Sequence, residues 1–131
     1  MPVNPDPAAL LARDPVWRPD PREAEPWRRA AEAPGAAAAL AHELRWWRAR
    51  EAAERGDWPE ASALAEQGLG EPFSERELVR LAFLHCLSGS LGEAEHVVAQ
   101  AVQTVSDESL PRRFSEWCAR EGLAEAAARF R

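Results

Sequence analysis

The longest unbroken helical pattern runs from Ala36 to Arg55, AAAALAHELRWWRAREAAER, with neither Pro nor Gly in twenty residues. Leu40, Leu44 and Trp47, followed by Glu51, recur at i, i+4, i+7 and i+11, the spacing of one helix face. Trp46 lies about 100° round from Trp47 and widens that face, which predicts neighbours on two sides. Gly56 ends this helix. Further apolar rows, divided by Gly, predict helices over about 58–67, 75–87, 91–105, 110–121 and 123–130. The segment LVRLAFLHCL, residues 78–87, is apolar on nearly every side and is predicted to be the most buried.

Before Gly35 the pattern is different. Eight prolines, at 2, 5, 7, 15, 19, 21, 26 and 34, forbid one long helix, because each removes a donor and pushes its predecessor into an extended conformation. Asp6-Pro7 and Asp20-Pro21 can still open short helices over 8–13 and 22–33. Leu10, Leu11, Val16, Trp17 and Trp27 give this leader apolar groups with which to dock. The chain therefore divides into a Pro-rich leader, residues 1–34, and a helical domain, residues 35–131.

Within the helical domain a short string recurs. Glu60-Ala61, Glu93-Ala94 and Glu125-Ala126 are separated by 33 and 32 residues, and each pair follows a Gly, at 56, 89 and 122. Asp57 with Glu60 and Ser90 with Glu93 have capping-box spacing, as do Ser74 and Glu77 at the start of the central helix. Each Gly suits a reversal of the backbone. Trp58, Leu91 and Leu123 are bulky plugs for the hairpins, and the Ala of each pair leaves room for two helices to touch. The third string, GLAEA, reads as one residue short.

GDWPEA, and less closely GSLGEA, resemble the turn of the tetratricopeptide repeat family, a helix-turn-helix unit of about 34 residues. Leu78, Leu81, Ala82 and His85 extend the resemblance into the middle unit, whereas Arg45, Arg48, Ala49 and Ala52 match poorly in the first. The resemblance covers residues 42–131 and implies an all-α fold, with antiparallel helical hairpins stacked as a short right-handed array. It also implies a groove, lined by the first helix of each hairpin, that holds a partner peptide or helix. On that register the partner-binding residues are Trp46, Arg50, Val79, Phe83 and Cys86, an apolar groove with an arginine at its edge. Two other fates are open to the same residues. They can be core, or the leader can fill the groove itself with Trp17 or Trp27 as the plug.

Composition narrows the function classes. The 131 residues are 46% apolar and 29% charged, with no Ile or Tyr, and Ala-rich helices of this kind favour close packing over β-sheet. All 16 basic residues are Arg, which fits GC-rich coding of a bacterial type. A net charge of −6 disfavours nucleic acid and anionic bilayers. Neither a signal-peptide pattern nor a membrane-spanning run is visible, and cytoplasmic localisation is expected. Cys86 and Cys118 form no CxxC; as equivalents on stacked helices they are expected about a helix diameter apart, as reduced thiols. His42, His85 and His96 have no chelating spacing. Neither a nucleophile elbow nor a phosphate loop is present, and the pairs Glu51/Glu54 and Glu75/Glu77 are expected on solvent faces.

The expectation is thus a non-catalytic protein–protein interaction module, an adaptor or scaffold, with a protein or peptide partner and no metal or other cofactor. The first alternative is an obligate homo-oligomer, such as a homodimer, or a subunit of a larger assembly that uses Trp-rich helix faces. A weaker alternative reads Arg45, Arg48 and the Trp46-Trp47 pair as a stacking stripe for single-stranded nucleic acid.

Overall fold

The computed structural model describes residues 16, 21–35, 38–68 and 75–131. Among them are seven α-helices and no strand: α1 Pro21–Glu32, α2 Ala38–Glu54, α3 Trp58–Gly68, α4 Glu75–Leu87, α5 Leu91–Val105, α6 Leu110–Arg120 and α7 Ala124–Arg129. The expected turn over 8–13, the Ser74 cap and Trp17 lie outside the described residues. Helices α2 and α3, α4 and α5, and α6 and α7 pack as successive pairs, with α1 against α2 and further contacts of α2 with α4 and of α5 with α6.

The three pairs are closed by one repeated turn. Gly56, Gly89 and Gly122 have φ of 79°, 84° and 80°, a left-handed conformation that places Cβ too close to the following carbonyl in other residues. In each turn the amide after the Gly donates to a carbonyl five residues back: Asp57 to Ala52 at 2.9 Å, Ser90 to His85 at 2.8 Å and Leu123 to Cys118 at 2.8 Å. The Gly amides donate to Ala53, Cys86 and Ala119 at 3.0–3.1 Å, completing the two-bond closure that satisfies the last carbonyls of a helix. The next helix then opens with Ala61, Ala94 and Ala127 donating to Asp57, Ser90 and Leu123.

These bonds correct the spacing of the third copy. Ala127, not Ala126, is equivalent to Ala61 and Ala94, so the Gly, the backbone bonds and this Ala recur at 33 residues, and GLAEAA is full length although Ala124 and Ala126 stand where the first two copies have a bulky residue and Glu. The caps are unequal. Asp57 Oδ1 accepts from the Glu60 amide at 3.3 Å, but neither Ser90 nor Leu123 makes a side-chain cap bond. Backbone geometry, rather than side-chain capping, is what the three turns share.

The core joins the pairs in series. Trp46 of α2 meets Phe83 of α4 at 6.5 Å and 66° between ring planes, Phe83 meets Phe114 of α6 at 6.4 Å and 79°, and Phe114 meets Phe130 at 4.8 Å and 79°. Edge-to-face contact aligns the positive rim of one ring with the negative face of the next. Phe83 and Phe114 are fully buried, and burial of each side chain is worth about 1.5–3 kcal/mol. Small residues occupy the close contacts: Ala52, Ala61, Ala82 and Ala94 are each 0% exposed. Trp27 stands apart, buried with Ala30 and Ala31 in a separate cluster on α1. No helix among the described residues is long and apolar enough to cross a membrane.

Candidate functional site

Helix α2 turns Glu43, Trp46 and Arg50 toward α4 at i, i+3 and i+7, the repeat of one helix face. Helix α4 supplies Arg76, Val79, Arg80, Phe83 and Cys86. The guanidinium carbon of Arg80 lies 5.0 Å from the Trp46 ring centre, and that of Arg50 lies 4.8 Å from the Phe83 ring centre. Two cations thus bracket a pair of touching rings, each over an electron-rich face.

All five residues named as groove-lining on the sequence register come together here, and all five are interior. Trp46, Arg50, Val79, Phe83 and Cys86 are 6%, 2%, 1%, 0% and 7% exposed. Their surface is taken up by the rest of the chain. Arg50 uses its whole fork: Nη1 donates to the carbonyl of Val16, Nη2 to Glu121 Oε2 at 2.7 Å, and Nε to Glu54 Oε1 at 3.2 Å. Val16 is 1% exposed and belongs to the same core cluster as Trp46, Phe83 and Cys86. Among the described residues of the leader, the one that enters this cluster is therefore Val16, whereas Trp27 packs elsewhere.

At the other end of the face, Glu43 is fully enclosed. Its Oε2 accepts from Arg80 at 2.6 Å and its Oε1 from Arg76 at 3.4 Å. Burial lowers the pKa of Arg80, and the adjoining Glu43 carboxylate acts in the opposite direction. His42 Nε2 and Glu77 Oε1 share a hydrogen bond of 2.6 Å, and Glu75 accepts from Arg113 at 2.7 Å. Glu77, with 15% of its side chain exposed, does not lie on a free solvent face, contrary to the sequence expectation. A small cleft opens beside this network, lined by His42, Arg45, Trp46, Leu64, Glu77 and Leu81 among others. A second, more open hollow lies among Glu75, Arg76, Arg113 and Trp117.

Cys86 on α4 and Cys118 on α6 are both free and buried thiols. Hydrogen bonding between them pulls the Cys86 thiol below its ordinary pKa and, together with burial, pushes Cys118 well above it. Among the described residues, no group of three His, Cys, Asp or Glu side chains is placed to hold a metal ion.

Glu43, Arg80 and Glu121 are members of this face that sequence reasoning missed, and Val16, named there only among the leader's apolar groups, was not expected at this cluster. Chemically, the face can hold a hydrogen-bond acceptor against Arg50 and an aliphatic group against the core around Phe83. No family model, curated protein or solved structure matches the chain.

Proposed function

We propose that this chain is a non-catalytic protein–protein interaction module, built as a short tetratricopeptide-like array and working in the cytoplasm as an adaptor. The observation that carries this reading is the hairpin closure repeated three times at a spacing of 33 residues, with the first helices α2, α4 and α6 linked through Trp46, Phe83 and Phe114. Serial hairpins of this kind build an extended surface from equivalent positions, and such surfaces suit recognition of a partner segment. Arg50 strengthens the reading, because a guanidinium on that face already takes a main-chain carbonyl from a position 34 residues away.

Light scattering across a wide concentration range, followed by the same measurement with captured partner, tests the proposal. The expected result is a concentration-independent monomer that forms a complex of defined stoichiometry. A constitutive oligomer overturns it in favour of an assembly subunit. Retention on single-stranded DNA that weakens steeply with salt overturns it in favour of nucleic-acid binding.

A further inference from the structure

Val16 lies in the described structure as a ligand would. Its side chain is 1% exposed within the cluster that holds Trp46, Phe83 and Cys86, and its carbonyl accepts from a guanidinium that is itself 2% exposed. Arg50 is shared by three parts of the chain: α2, which carries it; Glu121 just beyond α6; and the segment containing Val16. Four helices separate Arg50 from Glu121 in sequence, yet one fork bridges them under the Val16 carbonyl.

A fixed, buried guanidinium over an aromatic ring is costly to place in a core. It becomes favourable only when every charge is answered by excellent hydrogen bonds. Glu54 and Glu121 answer the charge, and the third nitrogen, Nη1, donates to a neutral acceptor rather than a third carboxylate. That neutral acceptor comes from outside the three helical pairs, whereas Glu54 and Glu121 belong to them or adjoin them.

We propose that the face around Arg50 and Phe83 is a peptide-binding site occupied in cis by the chain's own Val16 segment. The partner it fits is a peptide segment that offers a small β-branched side chain to the apolar cluster and a main-chain carbonyl to Arg50. With two carboxylates already on the guanidinium, an acidic side chain at the carbonyl's place would be repelled by Glu54 and Glu121, so the site selects an uncharged acceptor. Such a partner must displace Val16, which lowers its apparent affinity by the fraction of time the face is free. Its biological role rests on the interaction-module reading above; the self-occupied site does not.

The test uses the full chain and a fluorescently labelled peptide of residues 11–20, LARDPVWRPD. The peptide should bind the Val16→Asp chain at least about tenfold more tightly than the wild type, because the internal competitor has been weakened. A peptide carrying Val16→Asp should bind neither. Equal affinity of the parent peptide for the two chains, or equal binding of the two peptides, overturns the proposal. If circular dichroism shows the Val16→Asp chain to be unfolded, Val16→Gly, which removes the side chain without adding charge, carries the same comparison. A wild-type dimer that the peptide splits into monomers overturns it in favour of exchange of the segment between two copies. Peptide competition as expected, with no protein partner for either chain, leaves the self-occupied site standing and refutes the adaptor reading alone.

Discussion

Glu43 Oε2 accepts a hydrogen bond from Arg80 Nη2 at 2.6 Å, with 0% and 3% of the two side chains exposed. The pair ties α2 to α4 across 37 positions of sequence. Its Coulomb attraction is offset by the cost of drying both charges, so the pair as a whole need not stabilise the fold. Removing one partner is a different matter. Glu43→Leu takes the carboxylate from a buried guanidinium and is expected to cost about 3–5 kcal/mol, whereas Glu43→Leu combined with Arg80→Met should recover most of that loss. Urea unfolding of both single variants and the double variant checks this, and additive losses would refute the account.

Gly89 and Gly92, three residues apart around the second turn, should respond to alanine in opposite directions. Gly89 has φ of 84°, and a methyl group added at either glycine would meet no other atom within 4 Å. Alanine at 89 therefore meets backbone strain alone, and Gly89→Ala is expected to destabilise by about 1–2 kcal/mol. Gly92 lies in the first turn of α5 without a positive φ, so Gly92→Ala should stabilise by about 0.4–1 kcal/mol through the unfolded chain. Melting temperatures that move in the same direction would contradict the turn assignment.

The helices were legible because their limits are local. Capping-box spacing and Gly89 placed α4 at Glu75–Leu87 and α5 at Leu91–Val105, as observed. The turn spacing was less legible, since Glu125-Ala126 copies the letters of Glu60-Ala61 one residue early while the backbone bonds select Ala127. The site was least legible of all. Arg80 sits in the middle of an apolar run, and only its position against Glu43 and Trp46 shows why a charge is tolerated there. Size drew attention to the tryptophans as plugs, but a site already roofed by an arginine fork accommodates the smaller Val16. Contacts between residues 34 to 71 positions apart depend on how helices pack, and no local pattern encodes them.

Overpacking tests the closeness of the paired helices. Ala61 and Ala94 are 0% exposed and Ala127 is 5% exposed, each at the same point of its turn. Leucine at any of the three forces side chains off their preferred rotamers or pushes the helices apart, with an expected loss of about 1–3 kcal/mol. Thermal unfolding of Ala61→Leu, Ala94→Leu and Ala127→Leu checks this. An unchanged melting temperature for Ala127→Leu alone would return the third turn to the shorter spacing.

His85 gives the fold a pH dependence of defined sign. Its ring meets Trp58 of the preceding hairpin at 4.7 Å between centres, and burial lowers its pKa from the ordinary 6.5, with Glu93 acting in the opposite direction. The unfolded chain consequently binds the proton more readily than the folded one. The contribution to stability is fully present above pH 6.5 and is lost as pH falls from there through the lower folded value. Melting the wild type at about pH 7.5 and about pH 5.5, either side of that range, should show a loss on acidification, and His85→Gln should show a smaller one. The difference between the two chains isolates this histidine from carboxylates that titrate lower. Equal losses in both would show that His85 protonates alike in the folded and unfolded states, and a larger loss in His85→Gln would reverse the sign.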